Sequence, residues 1–325
     1  MKKFLILCLG IVSCLLFASC SNKKSGQTID PDFPKLEDTR SKEYKENTIT
    51  TLNGDDVTYN MNTRKIVCLF GSQDVVAFGI ELLAYEGSTD ISGYESLYGK
   101  AKQLKNSQPF SAEEVLSYEP ELILVNEKMT SANIETLSDI APVIPLKTES
   151  NDFSVRLTLI GEIFGLEESA EKLIKYSTDL KDKMLNKLNE IGVGDKTLTI
   201  YTYMGGISIV PERGWFMNVI IYDYLGVNRL DNVKEFMQNE SGMAYTPISS
   251  EDLGKYEGDL VMFAGFDGAT ISTYVTENVG WKRLNAVKEN RVGVIDITPY
   301  GQKGVILLYY QYYQIVEALK TAMGK

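Results

Sequence analysis

The stretch Ser111-Ala112-Glu113-Glu114-Val115-Leu116-Ser117-Tyr118-Glu119-Pro120-Glu121-Leu122-Ile123-Leu124-Val125 returns 138 positions later as Ser249-Ser250-Glu251-Asp252-Leu253-Gly254-Lys255-Tyr256-Glu257-Gly258-Asp259-Leu260-Val261-Met262-Phe263. Without a gap, Ser111/Ser249, Glu113/Glu251, Tyr118/Tyr256, Glu119/Glu257 and Leu122/Leu260 coincide. Each copy opens on a hydroxyl residue with an acid three places on, Glu114 or Asp252, which is how a capping box starts a helix. A breaker follows, Pro120 or Gly258, and then a short apolar run of the kind buried on both faces of a parallel sheet. Helix–turn–strand units resemble one another by chance, but five identities in fifteen ungapped positions favour a true repeat. Two such units imply two α/β lobes.

The chain extends this pattern in both directions. Residues 65–70 and 197–203 read as the opening strands of the two lobes, each followed by a glycine-containing loop and a helix, the second helix spanning 217–225. Further apolar runs, 143–146 and 292–296, follow the repeated units as additional strands. Between the lobes, residues 153–164 read as a helix stopped at Gly165. A second helix then begins with Glu167 and Glu168 and ends before Gly192, as the helix dipole and the C-cap favour. Its apolar stripe is Ala170, Leu173, Ile174, Leu180, Met184, Leu188 and Ile191. At about 1.5 Å per residue such a helix measures roughly 35 Å, enough to join two lobes. A break near Lys181–Lys183 is the alternative, though neither glycine nor proline supports one.

At the start, Lys2 and Lys3 precede an apolar run from Phe4 to Phe17 and then Ala18-Ser19-Cys20. The run is too short to span a membrane and reads as an export signal. It resembles a bacterial lipoprotein signal with Cys20 as the lipidated first residue of the mature chain. An ordinary secretory signal cut near Ser19 and cleavage before Cys14 are the alternatives. Removal of residues 1–19 would leave Cys68 as the one unpaired thiol, expected to be a small buried hydrophobe and not part of a disulfide framework. Residues 20–63 are expected to form a flexible tether, polar through Glu46, followed by a β-hairpin turning at Asn53-Gly54. The first lobe is assigned to 64–152, the linking helices to 153–192 and the second lobe to 193–325.

Composition excludes several classes. With 44 Asp and Glu against 33 Lys and Arg, the net charge is −11, the wrong sign for a nucleic-acid partner. There is no histidine, so the commonest metal ligand and general base are both missing. No phosphate loop, nucleophile elbow or CxxC pair is present, and enzymatic activity is not expected.

The chain resembles the substrate-binding lipoproteins of bacterial importers for iron–siderophore, haem and cobalamin, from about Thr48 onward. The resemblance rests on Glu113 placed seven before Pro120, on Leu137-Ser138-Asp139-Ile140-Ala141-Pro142-Val143, on Gly161 to Leu166 leading into the long helix, and on Trp281-Lys282-Arg283-Leu284-Asn285-Ala286-Val287-Lys288 before Arg291-Val292. Gly258 in place of a second proline, and Gly301-Gln302-Lys303-Gly304 where Gly-Pro is frequent, depart from the pattern. The resemblance implies two α/β lobes with mainly parallel sheets joined by one long helix. It also implies a monomer held by lipid on the outer face of the cytoplasmic membrane, and Glu113 and Glu251 as one docking residue per lobe for the permease.

Ligands of open α/β sheets lie beyond the C-terminal ends of the strands, and in two-lobed proteins between the lobes. This rule selects loops carrying Tyr94, Tyr98 and Lys128 in the first lobe and Arg213, Trp215, Phe266 and Tyr300 in the second. Aromatic faces can cover the organic shell of a chelate while cationic forks bond its oxygens. Tyr309, Tyr310, Tyr312 and Tyr313 follow a helical pattern and are assigned to packing. A ferric siderophore of the hydroxamate type is the expected ligand, because a trianionic catecholate complex would call for clustered arginines and the loops hold only Arg213 with scattered lysines. Haem would need tyrosine or methionine as its axial ligand. Haem or cobalamin in the same cleft, or a surface lipoprotein without transport, are the alternative readings; no resident cofactor or protein-bound metal is expected.

Overall fold

The structure is a computed structural model that describes residues 29–51, 53–86, 95–104, 110–147, 153–210, 216–234, 245–266, 269–301 and 304–325. The first strands, β1 (Glu46–Thr50) and β2 (Asp56–Asn60), form the expected antiparallel hairpin, with Glu46 opposite Asn60. It docks on the linking helices through the Tyr59 hydroxyl, which donates to the Ile163 carbonyl at 2.9 Å.

The first lobe is a parallel five-stranded sheet. Its strands are β3 (Ile66–Cys68), β4 (Ala84–Tyr85), β5 (Lys102–Gln103), β6 (Leu122–Asn126) and β7 (Val143–Leu146), in the spatial order β5-β4-β3-β6-β7. Helices α1 (Ser72–Ala77), α2 (Ala112–Leu116) and α3 (Ser131–Ser138) connect them. Side chains alternate between faces, and both faces are covered. Ile66, Cys68, Leu122 and Leu124 enter one core while Val67, Ile123 and Val125 enter another with Val115 and Leu137. That double burial explains why the strand sequences are continuously apolar. Cys68 is buried as expected, its thiol directed at the Phe70 carbonyl, and burial pushes its pKa up to about 12.

Helices α4 (Phe153–Phe164) and α5 (Glu167–Ile191) link the lobes, and α5 runs unbroken through Lys181–Lys183. Its buried side chains are those of the predicted stripe, with Tyr176 added and Ile174 only partly covered.

The second lobe holds β8 (Thr197–Tyr203), β9 (Ile207–Ile209), β10 (Asn228–Arg229), β11 (Thr246–Pro247), β12 (Leu260–Gly265) and β13 (Val292–Asp296). The order is β11-β9-β8-β12-β13, with β10 also on β8. Strands β8, β12 and β13 are parallel, while β9 runs antiparallel to both β8 and β11. Helices α6 (Phe216–Asn218), α7 (Thr273–Thr276), α8 (Val279–Arg283), α9 (Asn285–Lys288) and α10 (Leu308–Ala322) surround it. The helix expected at 217–225 is an α turn that widens into a π-helical stretch, Val219–Tyr224.

The sequence repeat is also a structural one. Leu122 opens β6 opposite Ile66, and Leu260 opens β12 opposite Leu198, so each copy delivers the strand that pairs with its lobe's opening strand. Ser111 Oγ accepts from the Glu114 amide at 3.1 Å and Ser249 Oγ from the Asp252 amide at 3.3 Å. The second copy coils as a 3-10 turn, Leu253–Tyr256, in place of an α-helix. Gly258 replaces proline because a Cβ there would lie 2.8 Å from the Thr197 carbonyl oxygen.

One expectation is corrected. Residues 29–40, assigned to a flexible tether, are packed, with Asp30 and Arg40 buried. The Arg40 guanidinium donates to the Met61 and Thr63 carbonyls and to Asp38, and lies 4.6 Å from the Phe164 ring centre. Burial lowers its pKa to about 10, which leaves it charged at neutral pH. Composition hid this because the buried polar groups carry their own partners.

Candidate ligand cleft

The parallel strands of each lobe end on one side, where a fold of this kind places its ligand, and the connections leaving those ends are the candidate cleft loops. The lobes meet the linking helix at a three-way junction. Asp74 in the first turn of α1 accepts from Arg156 Nε of α4 at 2.5 Å, and its other oxygen accepts from the Val305 amide of the second lobe at 2.6 Å. Both charged side chains are almost wholly enclosed, at 0% and 3% exposure. Arg156 is also stacked near the rings of Phe70 and Phe153, and Phe153 reaches Phe216 of the second lobe edge-on at 5.9 Å. One carboxylate therefore holds the first lobe, the linking helix and the second lobe together.

The predicted site residues fall into three groups. Lys128 is exposed beyond β6, in a turn closed by its own amide donating to Asn126 Oδ1 at 2.8 Å. Phe266, the first residue after β12, is 45% exposed. Tyr98 and Tyr300 are instead enclosed beneath the surface, which leaves little of either ring open to a ligand. Tyr98 stacks on Tyr85 at 3.9 Å and shares a 3.0 Å hydrogen bond with Ser72, while Tyr300 donates to the Gln311 carbonyl at 2.7 Å. Burial raises the pKa of both phenols, so they remain protonated. Tyr94, Arg213, Trp215 and the lipidation candidate Cys20 lie outside the described residues.

Three residues escaped sequence reading. Tyr274 of α7, 73% exposed, stacks in parallel on Tyr203 at the end of β8, with ring centres 5.7 Å apart. Its signal was the Ser272 N-cap in the connection after β12, which brings the helix start to the strand ends. Asp74 and Arg156 carried no local signal, being separated by 82 positions. The tyrosines assigned to packing divide: Tyr312 is buried, Tyr309 and Tyr310 are partly covered, and Tyr313 is 42% exposed.

Glu113 and Glu251 are exposed at the same end of the molecule as the cleft. Ser111 and Glu114 share a small recess with Leu69, Glu86 and Leu104, the residues that follow β3, β4 and β5. Strand β11 runs parallel to β8, both being antiparallel to β9, so Ser249 emerges at the corresponding end of the second sheet. At the opposite pole lies an open groove of about 620 Å³, lined by Lys196, Glu257, Asp259 and Arg291 among others. Its acids already have partners: Asp259 accepts from the Thr197 amide and Glu257 from the Ala286 amide, each at 2.8 Å. Among the described residues no group of three or more cysteine or acidic side chains gathers as a metal cage, and no helix is long and apolar enough to cross a membrane.

Two lobes on a linking helix, with a cleft at the strand ends, define a class of solute-binding protein, and comparison with known proteins agrees. The model of the periplasmic binding protein family matches residues 78–298, and the chain belongs to that family. Iron(3+)-hydroxamate-binding protein YxeB of Bacillus subtilis is 26% identical over 310 residues, covering 92% of this chain and 91% of that one. The iron-uptake system-binding protein of the same organism is 27% identical over 230 residues, 67% of this chain and 70% of that protein. Among solved structures, a B. subtilis periplasmic binding component of a Fep/Fec-like ferrichrome ABC transporter, with the FhuD fold, superposes with a TM-score of 0.66 at 24% identity, covering 84% of this chain and 99% of that one.

Proposed function

We propose that this protein captures a ferric siderophore of the hydroxamate type in the cleft and hands it to an ABC importer. The reading is carried by similarity to a hydroxamate-binding relative along nearly the full length of both chains. The exposed aromatic rings at the cleft end of the second lobe support it, since aromatic faces suit the organic shell of a weakly charged chelate. Arg213, Trp215, Phe266 and Tyr274 would contact the ligand from the second lobe and Tyr94 and Lys128 from the first, with Tyr98 and Tyr300 supporting them from below. A lipid on Cys20 would hold the protein at the outer face of the cytoplasmic membrane. Glu113 and Glu251, one on each lobe at the cleft end, would meet cationic side chains of the permease.

Titration of the purified protein with ferric hydroxamates, ferric catecholates, haem and cobalamin, followed by tryptophan fluorescence, tests this reading. Saturable quenching by a ferric hydroxamate, lost or weakened in Trp215→Ala, is the expected result. Tight haem binding without response to any ferric hydroxamate would overturn it.

A further inference from the structure

We propose that residues 29–40 form a strap that staples the two lobes across their junction and limits how far the cleft opens. The strap contacts the first lobe, the linking helix and the second lobe. At its start, Ile29 and Phe33 pack with Leu97, in the connection after β4 of the first lobe, against Ile306 and Leu307 of the second. In its middle, Asp30 is only 5% exposed. One of its carboxylate oxygens accepts from the Asp32 amide at 3.1 Å and closes a turn over Pro31; the other accepts from the Tyr176 hydroxyl of α5 at 3.1 Å. Phe33 meets the Tyr176 ring edge-on at 5.0 Å. Farther along, Leu36 runs against the end of α1, where Gly79 stands at φ 77 and a Cβ would lie 2.5 Å from the Leu36 carbonyl oxygen. Arg40 then anchors the far end to the chain between the hairpin and the first lobe.

The segment held by the start of the strap is the 3-10 turn Val305–Leu307, the same turn whose Val305 amide is bonded to Asp74. It is thus gripped from the first lobe on one side and by the strap on the other. Any movement that draws this turn away from the first lobe must strip Ile29 and Phe33 from it or pull Asp30 from Tyr176. A carboxylate as enclosed as Asp30 is stable only where its bonds are kept, so the turn at Pro31 resists being unseated. The strap therefore opposes opening through Leu97, Ile306 and Leu307, none of which is assigned to ligand contact, and the inference stands whichever ligand the cleft takes.

The test is hydrogen exchange on the ligand-free full chain carrying Asp30→Ala with Phe33→Ala, together with small-angle scattering of the same sample. Exchange is expected to quicken by at least about tenfold at residues 95–98 and 305–307 and to stay unchanged in β6 and β12, with a larger radius of gyration. Unchanged exchange at 305–307, an unchanged radius, or an equal rise throughout both sheets would overturn the proposal. Should the double variant fail to fold, Tyr176→Phe keeps the ring and removes the hydroxyl that is bonded to Asp30. Faster exchange confined to the same segments is then expected, and none there refutes the strap.

Discussion

Asp74 would pass in the sequence for any acid in the first turn of a helix, a position the dipole favours. Folded, it bonds the linking helix and the second lobe at once. Removing one partner of a buried ion pair strands the other charge, so Asp74→Ala is expected to cost about 3–5 kcal/mol in urea unfolding. Asp74→Asn combined with Arg156→Met should cost less than Asp74→Ala by itself, because no charge is left unpaired. Cys68 gives a prediction in pH. Its thiol has a pKa raised by burial to about 12, against about 9 when unfolded. The unfolded chain thus loses its proton first, and the stability this group contributes is present in full below pH 9 and declines as pH rises towards 12. Denaturant melts at pH 8 and pH 11 check this, with Cys68→Ala showing the smaller decline. That Cys68 would be buried was legible from its place in an apolar run; which backbone oxygen it meets was not.

At the scale of elements, sequence periodicity succeeded where one face repeats over many residues. The 25-residue α5 shows it best: its acidic first turn, its stripe and its closing glycine all lie where expected. Because α5 carries the core between the lobes, Asp182→Pro on its exposed side should cost about 3 kcal/mol or more, read as lost stability and reduced ellipticity at 222 nm. Short elements were less legible. The second copy of the repeat has the same cap but a 3-10 turn, and the helix after Phe216 widens into a π-helix. A hydrogen-bond register over one or two turns differs by little energy, and the neighbours it packs against decide it.

For the molecule as a whole, the two glutamates of the repeat matter through their joint position. They could be ordinary first-turn acids, but the Ser111 and Ser249 hydroxyls are bonded to Glu114 and Asp252, leaving Glu113 and Glu251 exposed on each lobe at the cleft end. An exposed ion pair contributes about 0–1 kcal/mol, so two of them would act by holding both lobes in register on a partner. Cells carrying Glu113→Ala with Glu251→Ala are expected to take up far less chelate while the purified variant binds it as before. Normal uptake with a lowered melting temperature would reduce the glutamates to helix caps. The sequence by itself determined the two lobes, their parallel strands and the long helix, because repeats and apolar periodicity are written in neighbouring residues. Only the tertiary structure decided that a polar N-terminal segment straps the lobes, that Asp74 and Arg156 pair where the lobes meet the linking helix, that Tyr98 and Tyr300 are enclosed and that Tyr274 is exposed. The reason is physical: burial and charge pairing join residues far apart in the chain, and no local pattern records which of them will meet.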